Sequence, residues 1–357
     1  MGRFCALLES ELRKSGISVE VARPRPFFGL LKRGATGIGK WLGYIDKFLI
    51  FPFQLKSRAG KMGADCIVHI CDHSNAVYTR WLRGTPHLVT CNDLIAVRSA
   101  RGEFPRHRTG FTGRCLQRWI LDGLRRARRI ACISEATKKD LLRLLADDRA
   151  NVDVIYMGLA SSWSPMPADE AALKLKSIGI TAPFILHVGG GQWYKNRGGV
   201  LSIYRVLGEI TSRVKLVIAG SVLPDAMGAI FPGRVDDETL RALYSKAELL
   251  LFPSIEEGFG WPIAEAQACG CRVVTTEKAP MTEAGGDAAF YIPEVPGDSN
   301  DRDWIERSAR VVNRVLAQDE HARAEAVARG LKNAARFSAE NMAQRYVAIY
   351  KELLYKA

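Results

Sequence analysis

Two carboxylates eight residues apart, Glu257 and Glu265, lie in the stretch L-L-L-F-P-S-I-E-E-G-F-G-W-P-I-A-E-A-Q-A-C-G-C, Leu249 to Cys271. The apolar run from Leu249 to Phe252 reads as a buried parallel strand. Pro253 and Ser254 end it, and a glycine loop, Gly258-Phe259-Gly260, comes next. Pro262 falls where a first helical residue belongs, because the N–H it lacks would be unpaired there anyway. Gly270 closes the helix. The order is strand, loop, helix N-terminus, with Glu257 on the loop and Glu265 about one turn into the helix. A helix N-terminus presents unpaired N–H groups and a partial positive charge, which suits a nucleotide's diphosphate. A carboxylate accepts two hydrogen bonds, so Glu265 suits a ribose diol and Glu257 the hydroxyls of a sugar. Such a glutamate pair alone would usually be a solvated helix face. The strand, the glycines and the proline give the spacing its meaning.

A second constellation is H-V-G-G-G-Q-W-Y-K-N-R, His187 to Arg197, again a glycine loop between a strand and a helix. Gly190 and Gly191 let the backbone come close to a phosphate. Lys195 adds a point charge for a diphosphate. A glycine triplet by itself is a weak signal and can be a plain turn. In the first half of the chain, L-V-T-C-N-D-L ends a strand at Asn92-Asp93, and H-I-C-D-H-S-N puts His69 and His73 around the end of another. Asn92 can donate to a sugar hydroxyl but cannot serve as acid or base at neutral pH. A lone strand-end histidine is more often structural than functional, and Asp72 beside His73 shifts that balance modestly.

The Glu257/Glu265 stretch resembles the E-x7-E signature of retaining GT-B glycosyltransferases, glycosyltransferase family 4. The flanking words G-R-V-D-D-E-T-L-R-A-L-Y-S-K-A-E-L-L-L-F-P-S and P-M-T-E-A-G-G-D-A-A-F carry it further, from Ile155 to the C-terminus, and more loosely over the N-terminal half. The resemblance implies an α/β fold of two Rossmann-like domains facing a cleft. It also implies a retaining hexosyltransferase that moves a sugar from a nucleotide-diphosphate sugar to a hydroxyl of a glycan or lipid-linked acceptor, in bacterial-type surface polysaccharide or glycolipid synthesis. Glu257, Lys195 and Asn92 then take the catalytic positions. Glu265, Gly190, Gly191, Arg197, Gly258, Phe259, Gly260 and Val235 line the donor, with Val235 in the stretch that lies against the base. His69, His73 and Asp93 are acceptor-side candidates. Two positions depart from the family: Tyr194-Lys195 stands where an Arg-Lys pair is common, so that either Arg197 supplies the missing cation or the donor phosphate is held more loosely, and Asn92 stands where a histidine is common. The implied mechanism is front-face, with the leaving phosphate taking the acceptor's proton. No D-x-D metal motif lies in a suitable loop, so neither metal nor cofactor is expected. A non-catalytic nucleotide-sugar-binding subunit of the same fold is the alternative.

These residues need two domains to position them, and 357 residues is ample for two. The expected domains are residues 1–163 and 164–337, divided in the turn-rich Gly158 to Pro167, with a final helix, 338–357, packing back on the first. The chain opens on an amphipathic helix bearing Phe4, Leu7, Leu8 and Leu12, where a doubly wound domain starts with a strand. The first strand of the N-terminal domain is therefore expected to be missing, and Ile17 to Ala22 alternates as the next. Further strands are expected at Cys66–Ile70, Leu88–Cys91, Ile130–Ser134, Val152–Tyr156, Phe184–Val188, Arg213–Ala219 and Arg272–Thr275, with a helix capped by Ser134.

Charge is lopsided. Residues 1–165 hold 28 Lys and Arg against 14 Asp and Glu, whereas residues 166–357 hold 23 against 24. Residues 23–56 interleave lysines and arginines with aromatics, a pattern equally that of an interfacial segment and of a partly buried helix pair. An anionic membrane surface is the expected partner; no nucleic-acid motif accompanies the charge. No run approaches the roughly 20 apolar residues of a membrane span, and no signal peptide is visible. The eight cysteines show no zinc spacing and read as small buried hydrophobes, so the protein is expected in the cytoplasm, peripheral at the inner face of the membrane.

Overall fold

A computed structural model describes residues 2–24, 43, 45–63, 65–147, 151–181, 183–210, 214–221, 228–297 and 301–355. The chain forms two compact units, one of Met1–Ile133, Thr137–Ile155 and Glu340–Ala357, the other of Ser134–Ala136 and Tyr156–Ala339. The chain thus passes to the second unit at Tyr156 rather than at 163/164. The reason is aromatic packing: Tyr156 meets Phe259 and Phe337, each with centroids 5.9 Å apart, and Trp163 sits edge-on to Tyr244 at 5.9 Å.

The first unit holds a four-stranded parallel sheet in the order β1 (Val68–Ile70), β2 (His87–Cys91), β3 (Arg129–Cys132), β4 (Val152–Val154). Its centre is the fully buried run His87 to Cys91. The opening helix, Gly2–Lys14, buries Phe4, Leu8 and Leu12, one side of its 3.6-residue repeat. Phe4 packs 6.0 Å from Tyr346 on the last helix, Ala339–Tyr355, which also buries Met342, Ala343 and Ile349. Helix Phe111–Arg126 lies against the turn His73–Trp81 so closely that a Cβ on Gly123 would come within 2.2 Å of the Ala76 carbonyl oxygen.

One expectation for this unit changes. Ile17 to Ala22 forms no strand: its alternation is real, but the residues are half-buried or exposed and join no sheet ladder among the described residues. Most of the basic-aromatic stretch, residues 25–42 and 44, lies outside the described residues. Its described C-terminal end is helical, Asp46–Ile50 running into Phe51–Ala59. Ser134 precedes helix Glu135–Leu145, and its hydroxyl donates to the Gly258 carbonyl at 2.7 Å.

The second unit holds a six-stranded parallel sheet in the order β10-β9-β8-β5-β6-β7, where β5 is Phe184–Gly189, β6 Lys215–Gly220, β7 Ile230–Gly233, β8 Leu249–Phe252, β9 Val273–Thr276 and β10 Phe290–Ile292. The chain winds outward from β5 through β6 to β7, then returns to β8 on the other side of β5 and winds out to β10. The winding therefore reverses between β5 and β8. Ile185, Leu216, Ile218, Leu249, Leu251 and Val274 face one layer, packed on Val200, Ile203 and Leu207 of helix Arg197–Ile210 and on Trp304 and Val312 of helix Arg302–Leu316. The alternate residues Leu186, Val217, Leu250 and Val273 are also fully buried, so both faces are covered.

Candidate active site

In an open parallel sheet, the carboxyl ends of two strands at a winding reversal leave a crevice, because the loops after them turn to opposite sides. Here those strands are β5 and β8. The loop after β5 carries Gly190, Gly191 and Lys195, and the loop after β8 carries Glu257, Gly258, Phe259 and Gly260. The two sequence constellations thus come together.

The loops are tied to each other. Ile255 N–H donates to the Tyr194 carbonyl at 2.8 Å, and Asn196 Nδ2 donates to the Pro253 carbonyl at 3.1 Å. Asn196 takes a left-handed conformation (φ 51°) and its Oδ1 accepts from Gly199 N–H, turning the chain into the next helix. The loop after β8 is also pinned from β9: Thr276 Oγ1 donates to the Ser254 carbonyl at 2.9 Å. Lys278 Nζ bonds Glu256 Oε1 at 2.6 Å and the Ile255 carbonyl at 3.1 Å. A Cβ on Gly220 (φ 139°) would come within 2.0 Å of the Gly189 carbonyl oxygen, so only glycine lets β6 end so close to the glycine loop.

On this frame Lys195 Nζ bonds Glu257 Oε1 at 2.7 Å, with both side chains mostly buried. The ammonium also stands 5.0 Å over the Phe252 ring. Glu265 lies one turn into helix Trp261–Ala268, almost wholly buried, and its Oε2 accepts from the Tyr244 hydroxyl at 3.1 Å. Gly260 caps that helix in a left-handed conformation (φ 100°), with proline in the first turn. Phe259 is buried against Tyr156 and, at 5.1 Å, Phe337; its side chain anchors the loop in the core. Val235 lies just after β7, half-buried.

Arg197 is buried at the start of helix Arg197–Ile210. One guanidinium nitrogen donates to the Ser221 carbonyl, while Nε and Nη1 are enclosed without a hydrogen-bond partner. Burial lowers its pKa. A buried cation with open donors has the chemistry to hold an anion. His187 in β5 donates from Nδ1 to the Leu251 carbonyl at 2.9 Å, leaving Nε2 enclosed and unpartnered. Burial pushes its pKa down to about 4, so the ring is neutral at pH 7.

The acceptor-side candidates cluster at the carboxyl ends of β1 and β2. Asn92 Nδ2 donates to the Cys71 carbonyl at 3.4 Å, and its buried Oδ1 has no partner. His73 is buried with Nδ1 unpartnered, 3.7 Å from Asp72 Oδ1 and beyond hydrogen-bond reach. Asp93 Oδ1 accepts from Ile95 N–H at 3.1 Å. His69 is placed differently: one ring nitrogen meets the Tyr350 hydroxyl and the other Thr90 Oγ1, each at 2.7 Å, and Thr90 in turn meets Tyr346 at 3.0 Å. Enclosure pushes its pKa down to about 3. A substrate hydroxyl would have to displace a protein partner to reach it. Tyr244, Lys278 and the His69 network escaped the sequence because their partners are distant in the chain.

Comparisons with known proteins bear on the family and the fold. Residues 1–162 match the description Glycosyltransferase Family 4, and residues 182–313 match Glycosyl transferases group 1. The chain belongs to glycosyltransferase family 4. The O-antigen chain mannosyltransferase B of Escherichia coli is 30% identical over 255 residues, 67% of this chain and 65% of that protein. The serotype-specific mannosyltransferase WbdA, also of E. coli, is 27% identical over 253 residues, 64% of this chain and 29% of that protein. The match therefore spans less than two thirds of each relative. Among solved structures, Anabaena HepE in complex with UDP and glucose has a TM-score of 0.69 at 16% identity, covering 95% of this chain and 88% of that one. A sucrose-phosphate synthase from Thermosynechococcus elongatus has a TM-score of 0.67 at 18% identity, covering 86% and 78%. At such identities the family 4 chain shares their fold, two parallel-sheet α/β domains.

Proposed function

We propose that the protein transfers a hexosyl group from a nucleotide-diphosphate sugar to a hydroxyl of a glycan or lipid-linked acceptor, with retention of anomeric configuration. One observation carries the reading: Lys195 and Glu257 meet at the winding reversal of a parallel sheet, with Glu265 on the adjoining helix. Glu265 takes the ribose diol and Glu257 the sugar hydroxyls. Lys195, Arg197 and the N-terminus of helix Trp261–Ala268 neutralise the diphosphate as the anomeric C–O bond breaks. The acceptor oxygen bonds the anomeric carbon on the same face, and its proton passes to the departing phosphate oxygen. These groups supply positive charge without a resident metal. His73 and Asn92, whose unpartnered atoms end β1 and β2, are proposed to hold the acceptor's hydroxyls.

The mannosyltransferase relatives make a mannose donor the first to try, and their O-antigen role makes surface polysaccharide synthesis the proposed setting. No helix among the described residues is long and apolar enough to cross a membrane. Peripheral association with an anionic membrane at its cytoplasmic face is proposed, from the basic first half and from the exposed Leu49 and Phe53 beside Lys47, Lys56 and Arg58. The test is a donor screen for slow release of free sugar, which needs no acceptor. Release with a nucleotide-mannose donor, lost in Glu257→Ala, supports the reading. Tight nucleotide binding with no turnover of any donor, even with acceptor extracts, favours the non-catalytic subunit.

A further inference from the structure

We propose that Tyr244 is a positioning residue for the donor: its hydroxyl fixes the Glu265 carboxylate for the ribose. The inference rests on the assignment of Glu265 to the ribose diol. Tyr244 belongs to helix Asp237–Lys246, is fully enclosed, and donates to Glu265 Oε2 at 3.1 Å. Burial, with the Glu265 charge beside it, raises the hydroxyl's pKa well above its ordinary value, so it stays protonated and acts as donor. Trp163 packs edge-on against the ring at 5.9 Å, from the connection into this unit.

A carboxylate in so enclosed a place costs stability unless its lone pairs are met. The Tyr244 hydroxyl meets one oxygen from within the protein. That bond favours the side-chain rotamer seen here, and so the direction in which the carboxylate meets a ligand. A ribose diol needs both of its hydroxyls met in a fixed geometry, so the rotamer is worth affinity only when the diol is present. Tyr244 touches no substrate itself; it acts through Glu265.

The probes are UDP and GDP, each against its 2′,3′-dideoxy analogue, titrated by calorimetry. The ratio of the two dissociation constants reports the diol's contribution for whichever nucleotide binds. The wild type should prefer the ribose form by about tenfold or more, the value of a hydrogen bond to a charged group. Tyr244→Phe should cut that ratio by about three- to tenfold and leave the dideoxy affinity unchanged. The unchanged dideoxy affinity also certifies that the variant is folded. Trp163→Phe, which disturbs the packing and keeps the hydroxyl, should leave the ratio near wild type. Glu265→Ala should bring it close to one. If Glu265→Ala abolishes the preference and Tyr244→Phe keeps it, the positioning role is wrong and the assignment of Glu265 stands. A wild type that does not distinguish the two forms refutes the Glu265 assignment itself, and the role of Tyr244 with it. An equal loss of both affinities in Tyr244→Phe reduces Tyr244 to a packing residue.

Discussion

Replacing the two members of the Lys195–Glu257 pair should affect stability alike and diphosphate binding differently. The two charges are 2.7 Å apart, with side chains 16% and 9% exposed. At an effective dielectric of roughly 20 their attraction is about 6 kcal/mol, most of it cancelled by the desolvation of both groups. Removing one partner strands the other, so Lys195→Met and Glu257→Gln should each lose about 3 kcal/mol of stability. The double variant should lose clearly less than the sum, with a coupling energy of about 2 kcal/mol in urea unfolding. Binding separates the pair. Lys195→Met removes a charge-assisted bond worth about 1.5–3 kcal/mol, so affinity for GDP or UDP should fall ten- to a hundredfold. Affinity for guanosine or uridine should not change. Glu257→Gln frees Lys195 from its competitor, so the nucleoside diphosphate should bind as tightly or several-fold more tightly while turnover falls. Calorimetric titration of the four ligands decides it. Equal losses for nucleoside and diphosphate in Lys195→Met, or a diphosphate loss in Glu257→Gln as large as in Lys195→Met, would refute the reasoning.

Other perturbations test other parts of the structure. Gly123→Ala should destabilise by about 3 kcal/mol or more, because the added methyl meets the Ala76 carbonyl at 2.2 Å; a melting temperature within a degree of wild type would contradict this. His187, held to about 4 by burial, takes up its proton near pH 6.5 once unfolded. Stability should therefore fall as pH drops from about 6.5 toward 4, by up to about 3 kcal/mol from this residue, and His187→Asn should flatten that part of the melting curve against pH. Vesicle flotation should show binding to anionic and not to neutral bilayers, weakened by salt and by Phe53→Ser; equal recovery on both would remove the membrane proposal.

The features legible in the sequence were local ones. The strand Leu249 to Phe252, the glycines after it and Pro262 at the next helix each arise from a few adjacent residues, and the site forms around them. His187 to Arg197 carries the same kind of signal. The pairing of Lys195 with Glu257 was not legible, since it depends on β5 and β8 lying side by side. The same holds for Tyr244 on Glu265 and Lys278 on Glu256, bonds across one layer or one strand that leave no mark in nearby residues. Ile17 to Ala22 misleads in the opposite way. Its alternation satisfies a local rule, but a strand exists only where a neighbour supplies the ladder. His69 looked like a site residue because it ends a strand. Its partners, Thr90 and Tyr350, come from β2 and from the last helix.

The most direct measurement of the central claim is proton NMR of a nucleotide-mannose donor carrying an α-linked sugar, incubated with the protein and followed at the anomeric proton. Mannose should appear first as the α anomer, ahead of mutarotation, and Glu257→Ala and Lys195→Ala should abolish its release. First appearance of the β anomer, or release that persists in both variants, would contradict retention at this site.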